Sequence, residues 1–280
     1  MRILVIQILL GKSMLTESRK SFFSFRLVLN GLVFLTAATF AAGLLKAFAY
    51  PINYAWMFVV GFAALSIASI GFWKLKERVP SRLQIPNFKA FVKLFRNELK
   101  ENPKLPAFLG FINTQGISIS FLPFVILYAK DVLEGEAGTT GSFLIFKIIG
   151  SVGAGIGLFL LAGKFKYKWL LMGNALLAAT LPLILIVFNV NAPLQLVFLL
   201  GGIVFAVYQL SMNGVLLEVS GIGNRAIYTG ITGAGNIIPA IFPLLGGLVI
   251  QHLGFTVFFS CYLIVILTSV YFAKKIKCEK

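Results

Sequence analysis

Charged residues are scarce in this sequence of 280 residues, of which 12% are Asp, Glu, Lys or Arg and 59% are hydrophobic. Soluble domains carry about 25% charged and roughly 45–50% apolar residues. The mean hydropathy of +0.93 also lies well on the apolar side. The composition therefore predicts an all-α polytopic membrane protein whose surroundings are the lipid bilayer.

Acidic residues, histidine and cysteine are especially few, with nine Asp and Glu, one His and two Cys. No spacing among them is typical of a metal site or of a nucleophile with its base. The glycine-rich stretch GSVGAGIG lies inside an apolar run without a following Lys-Ser/Thr pair, so it does not predict a nucleotide site. We expect neither an enzyme nor a cofactor.

Eight apolar runs are long enough to cross a membrane, since a hydrocarbon core of about 30 Å takes about 20 helical residues. The predicted membrane-spanning helices are 27–46, 52–73, 106–129, 141–162, 168–188, 194–216, 227–250 and 254–273. The chain should therefore cross the bilayer about eight times.

The longest polar segment, 73–104, contains nine Lys or Arg residues and three Glu. Short cytoplasmic loops collect Lys and Arg, which predicts that this segment is cytoplasmic. The same assignment places all of the 25 basic residues in cytoplasmic segments except Lys46, Lys130 and Lys147. We expect a multi-pass protein of the inner or plasma membrane with a cytoplasmic C-terminus, and the net charge of +16 reflects this topology rather than nucleic-acid binding.

Part of the basic segment has the pattern of an amphipathic helix. Its apolar positions are Phe88, Phe91, Val92, Phe95 and Leu99, and its basic positions are Lys89, Lys93, Arg96 and Lys100. Two arrangements fit this pattern. The helix either lies on the membrane surface with its basic residues toward lipid headgroups, or it packs as a linker on the helix bundle.

Polar side chains inside the spans are the candidates for binding a solute, because they are costly in hydrocarbon. The candidate substrate-binding residues are Asn113, Gln115, Lys147, Tyr208, Gln209, Asn213 and Asn236. Interhelical hydrogen bonding is the alternative role for each of them.

Two of these candidate groups have a distinctive spacing. Asn113 and Gln115 lie three residues and one residue before Gly116. Polar side chains next to a glycine predict a loosened helix near the membrane middle. Gln209 and Asn213 are four residues apart and so share one helix face.

Lys147 is the one charged residue well inside a predicted span. A buried ammonium must pair with an anion, face water or reach the membrane surface. Two interpretations follow: Lys147 extends to the outer surface, or it attracts an anionic substrate.

Small residues predict where helices pack closely. Gly150, Gly153 and Gly157 recur on one face of the run 141–162. We expect a neighbouring helix to approach that face.

Two stretches 206 residues apart, SRKSFFSFRLVLNG and NRAIYTGITGAGN, resemble each other and place Arg19 on Arg225, Phe22 on Tyr228 and Asn30 on Asn236. The first of them begins within ESRKSFFSFR. They resemble the basic turns between helices four and five and between helices ten and eleven of the major facilitator superfamily. The resemblance implies that the eight spans correspond to helices five to twelve, with Met1 to Leu10 a remnant of the fourth.

The resemblance also implies a division into a remnant of the N-terminal half (1–73), a cytoplasmic linker (74–104) and a C-terminal six-helix bundle (105–280). The turn LLAGKFKYKWLL lacks the Asp of the family's signature at the matching place. This departure puts a gating salt bridge there in doubt.

The resemblance implies that the protein transports a small solute by alternating access around a midplane site. The residues do not specify the class of that solute. The alternative is a truncated product without transport, or a membrane scaffold or subunit, whose missing helices come from a second chain.

Overall fold

The computed structural model describes residues 19–49, 51–73, 87–132, 139–161, 166–189, 192–220 and 225–276. All regular structure in these ranges is helical. Helices satisfy their backbone hydrogen bonds internally, which is the requirement that hydrocarbon surroundings impose. The proposed remnant of a preceding helix, the first part of the linker (74–86) and Cys278 lie outside the described ranges.

The helices are numbered in chain order. They are α1 (Arg19–Ala47), α2 (Ile52–Trp73), α3 (Phe88–Glu101), α4 (Lys104–Gln115), a 3-10 segment (Gly116–Ser120), α5 (Phe121–Asp131), α6 (Thr139–Leu160), α7 (Tyr167–Phe188), α8 (Leu194–Val219), α9 (Arg225–Ala234) and α10 (Ile237–Lys275).

The last element, α10, is a helical hairpin rather than one rod. Its 39 residues would extend about 58 Å if straight, nearly twice the thickness of a bilayer core. Gly254 interrupts it with φ 82° and ψ 173°, a conformation that glycine adopts without steric cost. The ring centroids of Phe242 and Tyr262, on either side of Gly254, are 6.1 Å apart, so the two arms lie side by side.

The prediction of an all-helical chain is confirmed for the residues that the structure describes, and seven of its helical segments are long and apolar enough to cross a membrane. The eight predicted spans coincide with these seven segments, because the last two, 227–250 and 254–273, fall in the single segment Ile227–Lys275. Two spans are interrupted. The span 106–129 consists of α4, the 3-10 segment and α5, and the span 227–250 consists of α9 and the first arm of α10.

Two apolar clusters lie at opposite ends of the bundle. One joins α3, the beginnings of α1, α4, α7 and α9, the second half of α8 and the end of α10, and it includes Phe108, Val219 and Ile276. We call this the basic end, because Lys104, Lys166 and Lys274 lie there. The other cluster gathers aromatic and aliphatic side chains of the far end.

The amphipathic helix α3 packs on the basic end of the bundle. Asn87 begins it by accepting a hydrogen bond from the backbone N–H of Ala90 at 2.8 Å, the usual role of an N-cap residue. Its buried face is formed by Phe91, Leu94, Phe95 and Leu99. Leu94 belongs to this face, whereas Val92, which the sequence pattern assigned to it, lies beside the basic residues on the other side of the helix.

The two N-terminal helices differ in how they attach. α1 packs on α6, where Gly31 lies directly against Val152 and Gly155 lies against Val28. α2 is almost entirely exposed, with Phe58 78% and Phe62 75% accessible. In a membrane protein such a surface faces lipid or another protein.

The closest helix pair is α6 with α8. A Cβ on Gly150 would collide with the backbone carbonyl of Leu199, and one on Gly202 would collide with that of Lys147. Ser151 adds a hydrogen bond from its hydroxyl to the carbonyl of Gly202 at 2.9 Å. Small residues therefore bring the two backbones together.

The expected small face of α6 is correct at Gly150 and wrong further along. Among the described residues, no atom lies within 4 Å of the position that a Cβ would take at Gly153 or Gly157. The close approach to α8 is therefore centred on Gly150 and does not include Gly153 or Gly157.

We predict opposite effects for two glycine substitutions in α6. Gly150→Ala should lower the free energy of unfolding by about 1–3 kcal/mol, because its methyl group meets an immovable backbone carbonyl. Gly153→Ala has open space and should be neutral or stabilising by up to about 1 kcal/mol, since alanine favours helix. Thermal unfolding of the detergent-purified chain measures both, and equal melting temperatures would contradict the packing described.

Candidate functional site

Two interrupted helices meet through the side chain of Asn113. Its amide nitrogen donates to the carbonyl of Gly235 at 2.7 Å, and its oxygen accepts from the backbone N–H of Ile238 at 2.9 Å. Gly235 and Asn236 form the gap between α9 and α10. Asn113 therefore supplies hydrogen bonds to backbone groups that the break leaves without helical partners.

The second interruption is the 3-10 segment that begins at Gly116. A Cβ on Gly116 would lie 2.6 Å from Pro239 and 3.2 Å from the hydroxyl of Tyr208. Only glycine allows α8 and α10 to approach the segment this closely. A 3-10 stretch in the middle of a helix often marks a hinge, and this one follows the polar group where the sequence predicted a loosened helix.

The two breaks lie near the middle of the bundle. α4 has 12 residues before the 3-10 segment, which puts the break about 18 Å from its start. We call the meeting point of Asn113, Gly116, Gly235, Asn236 and Tyr208 the helix-break crossing. Interrupted helices at membrane depth expose backbone groups and side chains to a ligand, as in the binding sites of transporters.

A second polar group, the inner polar cluster, lies on the other side of α4. The hydroxyl of Ser269 donates to the side-chain oxygen of Gln115 at 2.9 Å, and the Gln115 amide approaches the carbonyl of Asn174 at 3.5 Å. All three residues are buried. Within the described part of the chain, neither polar atom of the Asn174 side chain has a hydrogen-bond partner.

The structure divides the seven candidate residues among four places, one of which is that of Lys147 in α6. Asn113, Tyr208 and Asn236 lie at the helix-break crossing, whereas Gln115 points into the inner polar cluster. Gln209 and Asn213 are half-buried side chains of α8.

Lys147 stands apart from the crossing, in α6. Its ammonium group lies over the ring of Phe205, 5.2 Å from the centroid, a favourable cation–π arrangement. Phe205 is in α8, three residues before Tyr208. The cation is thus held against the helix that carries three other candidates.

Sequence reasoning missed Asn174 and Ser269. A lone Asn in the predicted span 168–188 was a usable signal, because an amide in hydrocarbon is costly. Serine carries less information, since its hydroxyl can bond to the preceding turn of its own helix. Their contact with Gln115 depends on how α4, α7 and α10 pack.

A polar network at the basic end was also missed. The hydroxyl of Tyr228 donates to the carboxylate of Glu98. The amide of Asn102 donates to the Tyr228 oxygen at 2.9 Å and to the carbonyl of Val219 at 3.0 Å. These contacts join α3 to the end of α8 and to the first turn of α9.

No protein-family model matches this chain, and no curated protein sequence matches it. Among the residues that the structure describes, no group of three or more His, Cys, Asp or Glu side chains is placed to hold a metal ion. The chemistry of the crossing is that of neutral amides, a phenol and backbone groups.

We predict that Asn113→Leu destabilises the protein by about 1–3 kcal/mol, because it leaves the carbonyl of Gly235 and the N–H of Ile238 unpaired. Thr114→Val is the matched control. The Thr114 hydroxyl bonds to carbonyls of its own helix, so its loss should cost less. Thermal unfolding of both variants in detergent tests this, and a larger effect at Thr114 would contradict the role of Asn113.

Proposed function

We propose that this chain belongs to a secondary transporter that moves a small solute by alternating access. The helix-break crossing carries the proposal, because it brings two interrupted helices together at mid-depth. Such breaks provide both the hinge and the exposed polar groups that a transporter requires. The proposed class of protein is therefore argued from this geometry and from the sequence pattern.

The hydrogen bonds of Asn113 suggest how a solute would be recognised. Its amide holds the break between α9 and α10 closed by pairing with Gly235 and Ile238. If α9 tilts about that break, the same amide and backbone groups become available to a solute. Recognition would then depend on hydrogen bonds rather than on a carboxylate.

The packing of α1 on α6 fits a transporter of the major facilitator type. In this packing, α1 of the N-terminal part contacts α6 of the six-helix C-terminal bundle closely at Gly31 and Gly155. We propose that 1–73 represents the N-terminal half and 105–280 the C-terminal half. The basic end would face the cytoplasm, following the distribution of Lys and Arg, in an inner or plasma membrane.

The local structure gives little support to the internal repeat on which the family resemblance partly rests. Asn236 lies in the break before α10, whereas Asn30 is an exposed residue inside the continuous helix α1. Matching positions in the two copies therefore differ in local backbone structure.

The alternative function is a membrane subunit that needs a second chain. The exposure of α2, which includes Ile67 at 70% and Leu65 at 65%, leaves a surface on which further helices could pack. A subunit of this kind would hold one fixed conformation unless its partner is present.

Thiol labelling distinguishes the two functions without knowledge of the solute. Ala234 is exposed beside the crossing, and Ser66 is an exposed residue of α2. Each is changed to Cys in the full chain with Cys261 and Cys278 replaced by Ser, in proteoliposomes. Only a thiolate in contact with water reacts with a membrane-impermeant maleimide.

A transporter should allow Ala234→Cys to be labelled from both sides of the membrane, while Ser66→Cys, facing lipid, stays unlabelled. Labelling of Ala234→Cys from one side only, or from neither, would contradict alternating access by this chain and favour the subunit.

Lys147 provides a test of substrate charge. If its ammonium attracts an anion, Lys147→Gln should lower the uptake of anionic members of a panel of labelled small solutes into proteoliposomes and leave the uptake of neutral members unchanged. Lys147→Arg keeps the charge over Phe205 and should retain most of the activity. Unchanged uptake and charge preference in Lys147→Gln would reject this role.

A further inference from the structure

The outward side of α3 is a strip of basic residues. Lys89, Lys93, Arg96 and Lys100 recur at helical spacing on one face, and all four are exposed. Together with Val92 and Asn97 they line an open groove of about 410 Å³. We call this strip the α3 groove.

The acidic residues of α3 do not line the groove. Glu98 is half-buried and accepts a hydrogen bond from Tyr228 of α9, on the side that faces the bundle. Glu101 is the last residue of the helix and lies outside the groove. The groove therefore presents four cationic side chains to any ligand that approaches it.

The position of α3 limits what that ligand can be. Two residues separate its last residue, Glu101, from the first residue of the membrane-spanning α4, Lys104. The groove is therefore within reach of the polar surface of the bilayer. Basic residues next to a membrane span attract anionic lipid headgroups.

The apolar side of α3 is already used by the protein. Phe91, Phe95 and Leu99 pack on the apolar cluster of the basic end, so they are not available to enter the acyl chains. This excludes the usual binding mode of an interfacial amphipathic helix, in which the apolar face is buried in lipid. Contact with the membrane must come from the charged side.

We propose that the α3 groove binds the headgroup phosphate of an anionic phospholipid in the leaflet at the basic end. Arg96 can pair with two phosphate oxygens through its planar guanidinium, while the lysines act as point charges. Binding is electrostatic and selects lipids by headgroup charge. This inference does not depend on whether the chain transports a solute.

The test compares phosphatidylglycerol with phosphatidylcholine. The full chain is purified in detergent and titrated with each lipid, and bound lipids are counted by native mass spectrometry. The test variant carries Lys89→Gln, Lys93→Gln, Arg96→Gln and Lys100→Gln. A control variant removes the same number of charges elsewhere at the basic end, through Lys166→Gln, Lys168→Gln, Lys274→Gln and Lys275→Gln.

The wild type should prefer phosphatidylglycerol by about tenfold or more, since each basic residue near the surface adds several-fold to the attraction. The test variant should lose this preference, and the control should keep most of it. All substituted groove residues are exposed, so circular dichroism should show unchanged helix content. If the variant with all four substitutions fails to fold, two double variants, Lys89→Gln with Lys93→Gln and Arg96→Gln with Lys100→Gln, are tested separately. Each should reduce the preference for phosphatidylglycerol.

Three results would overturn the proposal. The test variant and the control could lose the preference for phosphatidylglycerol equally, which would show that lipid binding depends on net charge rather than on the α3 groove. Phosphatidylcholine could bind as well as phosphatidylglycerol. Inorganic phosphate at millimolar concentration could displace the lipid completely, which would identify a site for free anions rather than for a membrane headgroup.

Discussion

The structure depends on one constraint, which is that backbone N–H and C=O groups in hydrocarbon need partners within the protein. Continuous helices meet it by themselves, but a broken helix does not. Asn113 meets it at the gap between α9 and α10 by pairing with Gly235 and Ile238. The break can exist at mid-depth because a side chain of another helix completes its hydrogen bonds. The proposed hinge and the proposed recognition group are consequently the same contact.

Close packing and buried polar groups hold the other helices around this crossing. At Gly150 and Gly202, α6 and α8 approach until their backbones touch, which gives a well-defined contact in a setting where burial of apolar surface provides little force. The inner polar cluster links three helices through Gln115, Asn174 and Ser269. Asn174 keeps an unpaired amide there, a costly arrangement in a low-dielectric interior.

The basic end connects the crossing to the surface of the protein. α9 is a short helix with the crossing at one end and Tyr228 in its first turn, and Tyr228 is bonded to Glu98 and Asn102. In the proposed transport cycle, a tilt of α9 would have to break its contact with α3. The groove on the opposite side of α3 faces outward, where we propose that anionic lipid binds. The proposed hinge and the proposed lipid site are therefore linked through α3.

The sequence by itself determined the all-helical, apolar character of the chain, the positions of the long apolar helices and the amphipathic character of α3, because hydropathy and helical periodicity depend on residues close together in the chain. It also indicated the break after Gln115, since Asn113, Gln115 and Gly116 are neighbours. The tertiary structure alone decided that Asn113 and Gln115 point to different partners, that Asn174 and Ser269 belong with Gln115, and that Gly150 packs while Gly153 does not. Each of these depends on how helices distant in sequence cross, and a crossing angle is not encoded in the periodicity of one helix.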